Sequence, residues 1–400
     1  MLCVIMKTGE VSGPRSRIIS LDQFRGYTVA GMILVNFLGG FQCVPAVFKH
    51  HNTYFSYADS IMPSFHFAVG FALRLVLLKR IAALGAARAY ASAVRRCFGL
   101  IVLSTILELA SGTHRASSWS ELQGKNLWDY LAGPLKCQFW ETLAIIGATS
   151  LFVLPVITKN VLTRLVFLMA CAVVHVYISR AFYFDFIWAR PNALDRWWGA
   201  TDVRGLDGGP FGVLAWAIPQ ILGSLAYDAV TARRGRAVPL LAAGAVLLMI
   251  AGYGLSCLTR LYDVAPGSPV NVSQDLGSFL AEPPFVPPPP PEQRPLNYWM
   301  MSKRAASLSF MLFATGFALA AYLVFVLLGD VGRVEVGPLR TLGQNALAAY
   351  IIHEVVDHAV KVYAPKDSPV WWVAVTFALF VTLTYLAVRY LERNGIYLRM

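Results

Sequence analysis

The sequence predicts an all-α fold, a polytopic transmembrane bundle of about ten helices that forms a single domain over residues 1–400. Only 14% of the residues are charged, where about 25% is usual for a soluble domain, and 57% are hydrophobic. Apolar stretches of about eighteen or more residues recur along the chain, and each could cross a bilayer as a helix. A helix is required because lipid offers no hydrogen-bond partner to an exposed peptide group.

Ten apolar segments are expected to be crossings. In chain order they are 22–41, 58–78, 97–111, 138–157, 165–183, 211–230, 238–259, 306–328, 341–360 and 369–388. The third segment is short and contains Glu108, and the ninth is polar, so nine or eleven membrane crossings are alternatives to ten. Residues 1–20 form an N-terminal segment, and residues 260–304 form a loop whose run Pro287–Pro291 favours an extended, exterior conformation.

Arginine and lysine predict how the chain sits in the membrane, because cytoplasmic loops retain them. The cluster Arg233, Arg234 and Arg236 falls on the same side of the predicted bundle as both termini, which we therefore expect to be cytoplasmic. The net charge of +12 fits contact with anionic lipid headgroups and does not indicate a nucleic-acid partner. The six cysteines are scattered without paired spacing, so neither a metal site nor a disulfide framework is predicted.

One concentration of polar residues lies in the first two predicted helices and their connection. Arg25 and Asn36 lie in the first segment, His50 and His51 in the following loop, and Asp59 opens the second segment. A histidine can accept a proton from an attacking amine or hydroxyl, and a carboxylate on its other nitrogen would fix its tautomer. The residues alone leave two alternatives open, because loop histidines are often solvated and an aspartate can cap its own helix.

A second concentration of polar residues surrounds the last predicted helices. Its members are Asn297, Lys303, Arg304, Asn345, Tyr350, His353, Glu354 and Asp357. The last four are spaced i, i+3, i+4 and i+7, which places them on one face of a helix. Ionisable groups cost about 2.5–3.5 kcal/mol each inside a bilayer, so this face either pairs with another helix or lines a wet cavity.

Two blocks of sequence show a recognisable pattern. The N-terminal block consists of Ser20–Gly26 (SLDQFRG), Asn36, Gly39, Gly40, Phe48–His50, Ala58, Asp59, Pro63 and Gly70, and the C-terminal block of Pro295–Asn297, Gly343, Asn345, Tyr350 and His353–Val355. Both blocks resemble the heparan-alpha-glucosaminide N-acetyltransferase family of transmembrane acyltransferases. The loop after the histidine departs from that family, since Tyr54, Phe55 and Tyr57 replace its Trp and Gly.

The resemblance implies that acetyl-CoA binds from the cytoplasmic side as co-substrate, without a metal. It implies catalytic roles for His50, Asp59 and Asn36, with His51 open as the alternative base. Arg25, Lys79 and Arg80 would meet the phosphates of CoA. The expected substrate-binding residues are Asn297, Asn345, Tyr350 and His353.

The predicted function is therefore transfer of an acetyl or other acyl group from acyl-CoA to an amine or hydroxyl of an extracytoplasmic, glycan-like acceptor. The alternative is a secondary transporter or flippase with a polar pathway inside the membrane. Direct transfer and an acetyl-histidine intermediate both stay open, as does a homodimer.

Overall fold

The chain is built almost entirely of α-helices. The computed structural model describes residues 4–7, 18–111, 118–121, 123, 126–232, 236–262, 279–292 and 294–399. Within these ranges the α-helices are α1 (Ile19–Leu38), α2 (Tyr57–Leu84), α3 (Ala86–Ser111), α4 (Leu127–Lys136), α5 (Thr142–Val153), α6 (Val161–Ile178), α7 (Phe184–Ile187), α8 (Ala193–Trp198), α9 (Gly212–Ala232), α10 (Ala237–Cys257), α11 (Leu308–Phe325), α12 (Gly337–Gln344), α13 (Ala346–Lys361) and α14 (Val370–Arg393). Each of the ten predicted segments overlaps at least one of these helices.

Seven helical segments of the described chain are long and apolar enough to cross a membrane. They are Tyr57–Leu84, Ala86–Leu109, Val161–Ile187, Gly209–Thr231, Ala237–Leu261, Leu308–Val331 and Val370–Arg393. This confirms a helical, multi-pass membrane protein, in which α1, α5 and α13 are further helices outside that group. The third predicted segment is longer than expected because α3 begins at Ala86, and the ninth is divided at Asn345 into α12 and α13.

A small sheet joins the two ends of the chain and is a departure from the all-α prediction. Strand β1 (Val4–Lys7) pairs antiparallel with β2 (Ile396–Arg399). Helix α1 follows β1, and its 20 residues span about 30 Å before the loop that carries His50. We call the end of the bundle with β1 and β2 the terminal side and the end with the loop 39–56 the His50 side.

Glycine allows α2 and α9 to touch backbone to backbone. A Cβ atom on Gly70 would lie 1.9 Å from the carbonyl oxygen of Gln220, and one on Gly223 would lie 2.0 Å from that of Phe67. Small residues let helices in lipid gain van der Waals contact through such close approach. This contact holds α2, which carries Asp59, against the centre of the bundle.

Helices α1 and α12 approach each other in the same way. A Cβ atom on Gly26 would lie 1.8 Å from the carbonyl oxygen of Leu339, and one on Gly343 would lie 1.8 Å from that of Asp22. Both glycines belong to the sequence blocks described above. Because α13 follows α12 directly, this contact also sets the position of α13 beside α1.

A layer of short elements covers the bundle on the His50 side. This cap comprises residues 126–140 and 184–211 and the described part of 279–307. Inside it, Lys136 donates to Asp195 at 2.7 Å and to the carbonyl oxygen of Ala200 at 2.9 Å. The proline-rich part of the loop predicted over 260–304 packs on the bundle here, since Phe285 donates its N–H to the carbonyl oxygen of Phe55 at 2.8 Å.

Some predicted features lie outside the described residues. These are most of the N-terminal segment 1–20, Arg233 and Arg234 of the basic cluster, and residues 263–278 of the proline-rich loop.

The Gly70→Ala substitution should lower the stability of the folded protein, because its methyl group would force α2 and α9 apart. Overpacking of this kind costs about 1–3 kcal/mol. Gly254→Ala is the matched control, since that helical glycine has open space around its Cβ position and should gain stability from the better helix former. Thermal unfolding in detergent measures both, and equal melting temperatures for the two variants would contradict the close contact.

Candidate functional site

The first turn of α2 holds a buried carboxylate against the loop that precedes it. Ser56 caps the helix, and its hydroxyl lies 2.7 Å from Asp59 Oδ2. The backbone N–H of His51 donates to the same oxygen at 3.1 Å. Asp59 Oδ1 lies 3.0 Å from His50 Nδ1. Asp59 is fully buried, whereas 45% of the His50 side chain is exposed, so the pair joins the protein interior to an accessible imidazole.

These contacts distinguish the two neighbouring histidines. A carboxylate only accepts hydrogen bonds, so Nδ1 of His50 carries the proton and Nε2 keeps a lone pair. His50 Nε2 has no hydrogen-bond partner in the described part of the chain. In His51 it is Nε2 that carries the proton, because this atom lies 2.8 Å from the carbonyl oxygen of Ala46, and the ring stacks on Tyr54. His50 alone of the two combines a buried carboxylate on one nitrogen with a basic nitrogen on the other.

Asn36 and His353 form a second polar pair beside His50. His353 Nδ1 lies 2.5 Å from the carbonyl oxygen of Tyr350, so its Nε2 accepts the hydrogen bond from Asn36 Nδ2 at 3.1 Å. Lys361 donates to the carbonyl oxygen of Asn36 at 2.9 Å and pairs with Asp357 at 2.8 Å. The end of α1 is thus fixed to the end of α13.

Three neighbouring cavities extend from the His50 loop into the bundle. The outer cavity, of about 530 Å³, is lined by Asn36, His50, His51, His353, Glu354 and Asp357 among others. The central cavity, of about 240 Å³, shares Asn36, His50 and Glu354 with it and reaches Tyr350. The inner cavity, of about 210 Å³, shares Tyr350 with the central one and extends to Arg25 and Arg96. Tyr350 therefore separates a polar half of this route from a mostly apolar half.

The polar face of α13 lines these cavities. His353, Glu354 and Asp357 border the outer cavity, and Tyr350 borders the central and inner ones. Both alternatives that the helical spacing left open are observed, because the face lines cavities and His353 also pairs with Asn36 of α1. A side cavity of about 520 Å³ also brings Glu108 and Glu141 next to Glu354.

Two predicted substrate-binding residues lie elsewhere. The side chain of Asn345 bonds to the backbone of β2, at Ile396 and Leu398, which is on the terminal side. Asn297 accepts the N–H of Trp299 and so stabilises a turn of the cap. The structure brings neither of them to His50, because their amide groups bond to backbone in other parts of the fold.

The three predicted CoA-binding residues are likewise separated. Arg25 lines the inner cavity. Lys79 is exposed near the end of α2, and Arg80 donates to Ser92 of α3. Neither Lys79 nor Arg80 lines the inner cavity, because the last turns of α2 lie beyond it.

The sequence placed Lys303 in the second polar concentration but gave it no role beside His50, and it gave no role to Asp207. Both belong to the cap, and both line the central cavity together with His50. Asp207 precedes Gly208, Gly209 and Pro210, which indicates a turn but gives no sign of where the carboxylate lies. Lys303 lies just before α11 and 253 positions after His50, so no local spacing links the two residues.

Comparison with protein-family models found no match, and comparison with curated proteins also found none.

The Asp59→Asn substitution should allow His50 to populate both imidazole tautomers, because the carboxylate that holds the proton on Nδ1 is lost. A hydrogen bond to a charged group contributes about 1.5–3 kcal/mol, which biases the tautomers about tenfold or more. The ¹⁵N chemical shifts of the imidazoles report this, and the chain has 7 histidines to resolve. His353, whose proton is fixed by a backbone carbonyl, is the internal control and should not change. Unchanged shifts for His50 would show that Asp59 does not hold its proton.

Proposed function

We propose that this chain is an acyl-CoA-dependent acyltransferase with ten membrane crossings, which transfers an acetyl group to an amine or hydroxyl of a glycan-like acceptor outside the cytoplasm. One observation carries the proposal: the basic Nε2 of His50, with Asp59 behind the ring, belongs to a side chain that lines cavities reaching through the bundle toward Arg25. The two sequence blocks that resemble transmembrane N-acetyltransferases support it, because they contain these same residues.

In this mechanism His50 is the general base. The acceptor attacks the thioester carbonyl carbon while its proton moves to His50 Nε2, and the carbonyl electron pair moves to oxygen. When that pair returns, the carbon–sulfur bond breaks and the CoA thiolate takes the proton from His50. Asp59 stabilises the imidazolium through Nδ1–H, as the carboxylate of a catalytic triad does.

The arrangement of charge suits a donor that enters from the terminal side. Arg25 and Arg96 stand at that end of the inner cavity, where guanidinium groups can bind phosphates in bidentate fashion. The apolar wall of the same cavity suits the uncharged pantetheine arm. The thioester would then reach Tyr350 and the central cavity, and the acceptor would enter from the outer one.

A transporter or flippase is the second candidate, and the polar face of α13 favours it. Glu354 and Asp357 line the outer cavity, and ionisable groups inside a membrane often mark a substrate or proton pathway. A transporter would move its substrate across the membrane without acyl-CoA, whereas an acyltransferase would modify its acceptor only when acyl-CoA is present.

His50→Ala should lower acetyl transfer from labelled acetyl-CoA in proteoliposomes by about 10²- to 10⁴-fold, which is the contribution of a general base. His51→Ala is the matched control, because the His51 imidazole has no carboxylate partner among the described residues, and we expect this substitution to change the rate much less.

Two results of this assay would count against the proposal. Full activity in His50→Ala, His51→Ala and the double variant would show that neither histidine is the general base. Substrate flux in wild-type vesicles without acyl-CoA, lost on Glu354→Gln or Asp357→Asn, would favour the transporter.

The orientation can be tested with Cys43, which is exposed in the loop before His50. A membrane-impermeant maleimide applied to intact cells should label Cys43, and the Cys43→Ser variant gives the background from other cysteines. Lys79→Cys in the Cys43→Ser background reports the opposite side, since 20 residues of helix, about 30 Å, separate Lys79 from Asp59. If the maleimide labels Lys79→Cys from outside and does not label Cys43 of the wild-type protein, the orientation is opposite to the proposed one. The proposed side of donor entry is then wrong as well.

A further inference from the structure

The cap supplies a lysine to the cavity beneath His50. Lys303 lines the central cavity, and its side chain is 15% exposed. Its Nζ lies 3.4 Å from Asp207 Oδ1, and within the described residues this is its one close polar contact. An ammonium group has three N–H donors, so Lys303 has hydrogen-bonding capacity left for a group inside the cavity.

The Asp207 turn is held rigidly by its surroundings. Asp207 has a φ of 48°, a left-handed conformation that residues other than glycine adopt rarely. Its carbonyl oxygen accepts the indole N–H of Trp216 at 2.7 Å. The next residue, Gly208, donates to the carbonyl oxygen of Arg304 at 2.8 Å and accepts the Tyr183 hydroxyl at 2.5 Å. The turn therefore fixes both the carboxylate and the backbone next to Lys303.

A second buried lysine in the cap shows what a purely structural pair looks like. Lys136 is fully buried, lies 2.7 Å from Asp195 and also donates to the carbonyl oxygen of Ala200. The Lys303–Asp207 distance is longer than the usual 2.7–2.9 Å of a charge-assisted hydrogen bond. Lys136 is thus satisfied by the protein, whereas Lys303 borders open space with unused donors.

Lys303 keeps its positive charge in this position. Burial by itself lowers the pKa of Lys303, but the carboxyl groups of Asp207, Asp59 and Glu141 together outweigh this effect and raise the pKa above its ordinary value. A full positive charge in a poorly solvated cavity interacts more strongly with a developing anion than a neutral amide does. Asn36, to which the family resemblance assigns a catalytic role, already uses one side-chain N–H for His353.

We propose that Lys303 is a catalytic residue that stabilises the oxyanion of the tetrahedral intermediate, with Asp207 as its positioning residue. The inference rests on the proposed acyltransferase function. As the acceptor attacks the thioester carbon, the carbonyl electron pair moves to oxygen, and the Lys303 ammonium donates a hydrogen bond to that oxygen without transferring its proton. The pair then re-forms the carbonyl and the thiolate leaves, so Lys303 is unchanged at the end of the step.

The test is steady-state acetyl transfer by full-length Lys303→Met, which keeps an unbranched apolar side chain and removes the ammonium charge. We expect kcat to fall about 10²- to 10³-fold, as for the loss of one oxyanion donor, and the KM for acetyl-CoA to change little. Lys366→Met is the control, because Lys366 is an exposed lysine in the loop between α13 and α14 and should keep wild-type kcat.

A second measurement distinguishes chemistry from folding. In Lys303→Ala, added methylammonium or ethylammonium should restore part of kcat, since a small cation can occupy the vacated space. A variant impaired only in folding would not respond to these cations. Lys303→Arg, which keeps the charge, should retain more kcat than Lys303→Met.

The outcomes separate this inference from the function on which it rests. If wild type and Lys366→Met transfer acetyl groups and Lys303→Met retains at least a third of their kcat, the oxyanion role is wrong and the acyltransferase stands. If Lys303→Met loses activity and Lys303→Ala shows no rescue by either cation, Lys303 is structural and the inference is equally overturned. Absence of transfer by wild type itself would remove the proposed function.

Discussion

The burial of the Asp59 carboxylate at the first turn of α2 is the interaction on which the site depends. A fully buried carboxylate must be satisfied by hydrogen bonds, and Asp59 takes them from Ser56, from the His51 backbone and from the His50 ring. The start of a helix also favours a negative charge. One side chain therefore closes the loop, fixes the tautomer of His50 and leaves its second nitrogen free to accept a proton.

Close helix packing provides the rigid frame around this interaction. Gly70 and Gly223 bring α2 and α9 into backbone contact, and Gly26 does the same for α1 and α12. On the terminal side, Asp228 accepts hydrogen bonds from Arg74 at 2.6 Å and from Arg164, which ties three helices together. With the backbones locked at these points, the cavities between α1, α2 and α13 are fixed features of the bundle.

Buried charge in this protein falls into two kinds. Arg74, Arg164 and Lys136 have carboxylate partners and additional carbonyl or hydroxyl acceptors, so their charges are satisfied by the fold. Lys303 borders a cavity with donors to spare, and Asp357 beside the outer cavity has one carboxylate oxygen, Oδ1, without a partner in the described residues. Incomplete satisfaction of buried polar groups is costly. It also occurs elsewhere in the described residues, at Asp195 Oδ2 and Arg304 Nε, but Lys303 and Asp357 border cavities in which a bound molecule could supply the missing contacts.

Long apolar runs were enough to predict a helical membrane protein, because such runs can only be helices in lipid. Helical spacing likewise placed Tyr350, His353 and Glu354, together with Asp357, on one face. The sequence also grouped His50 with Asp59, which are nine positions apart and meet through local geometry. The folded chain, in contrast, places Asn297 and Asn345 away from the site and brings Asp207 and Lys303 beside His50. Contacts of that kind depend on how distant segments fold over the bundle, and no local periodicity or spacing encodes them.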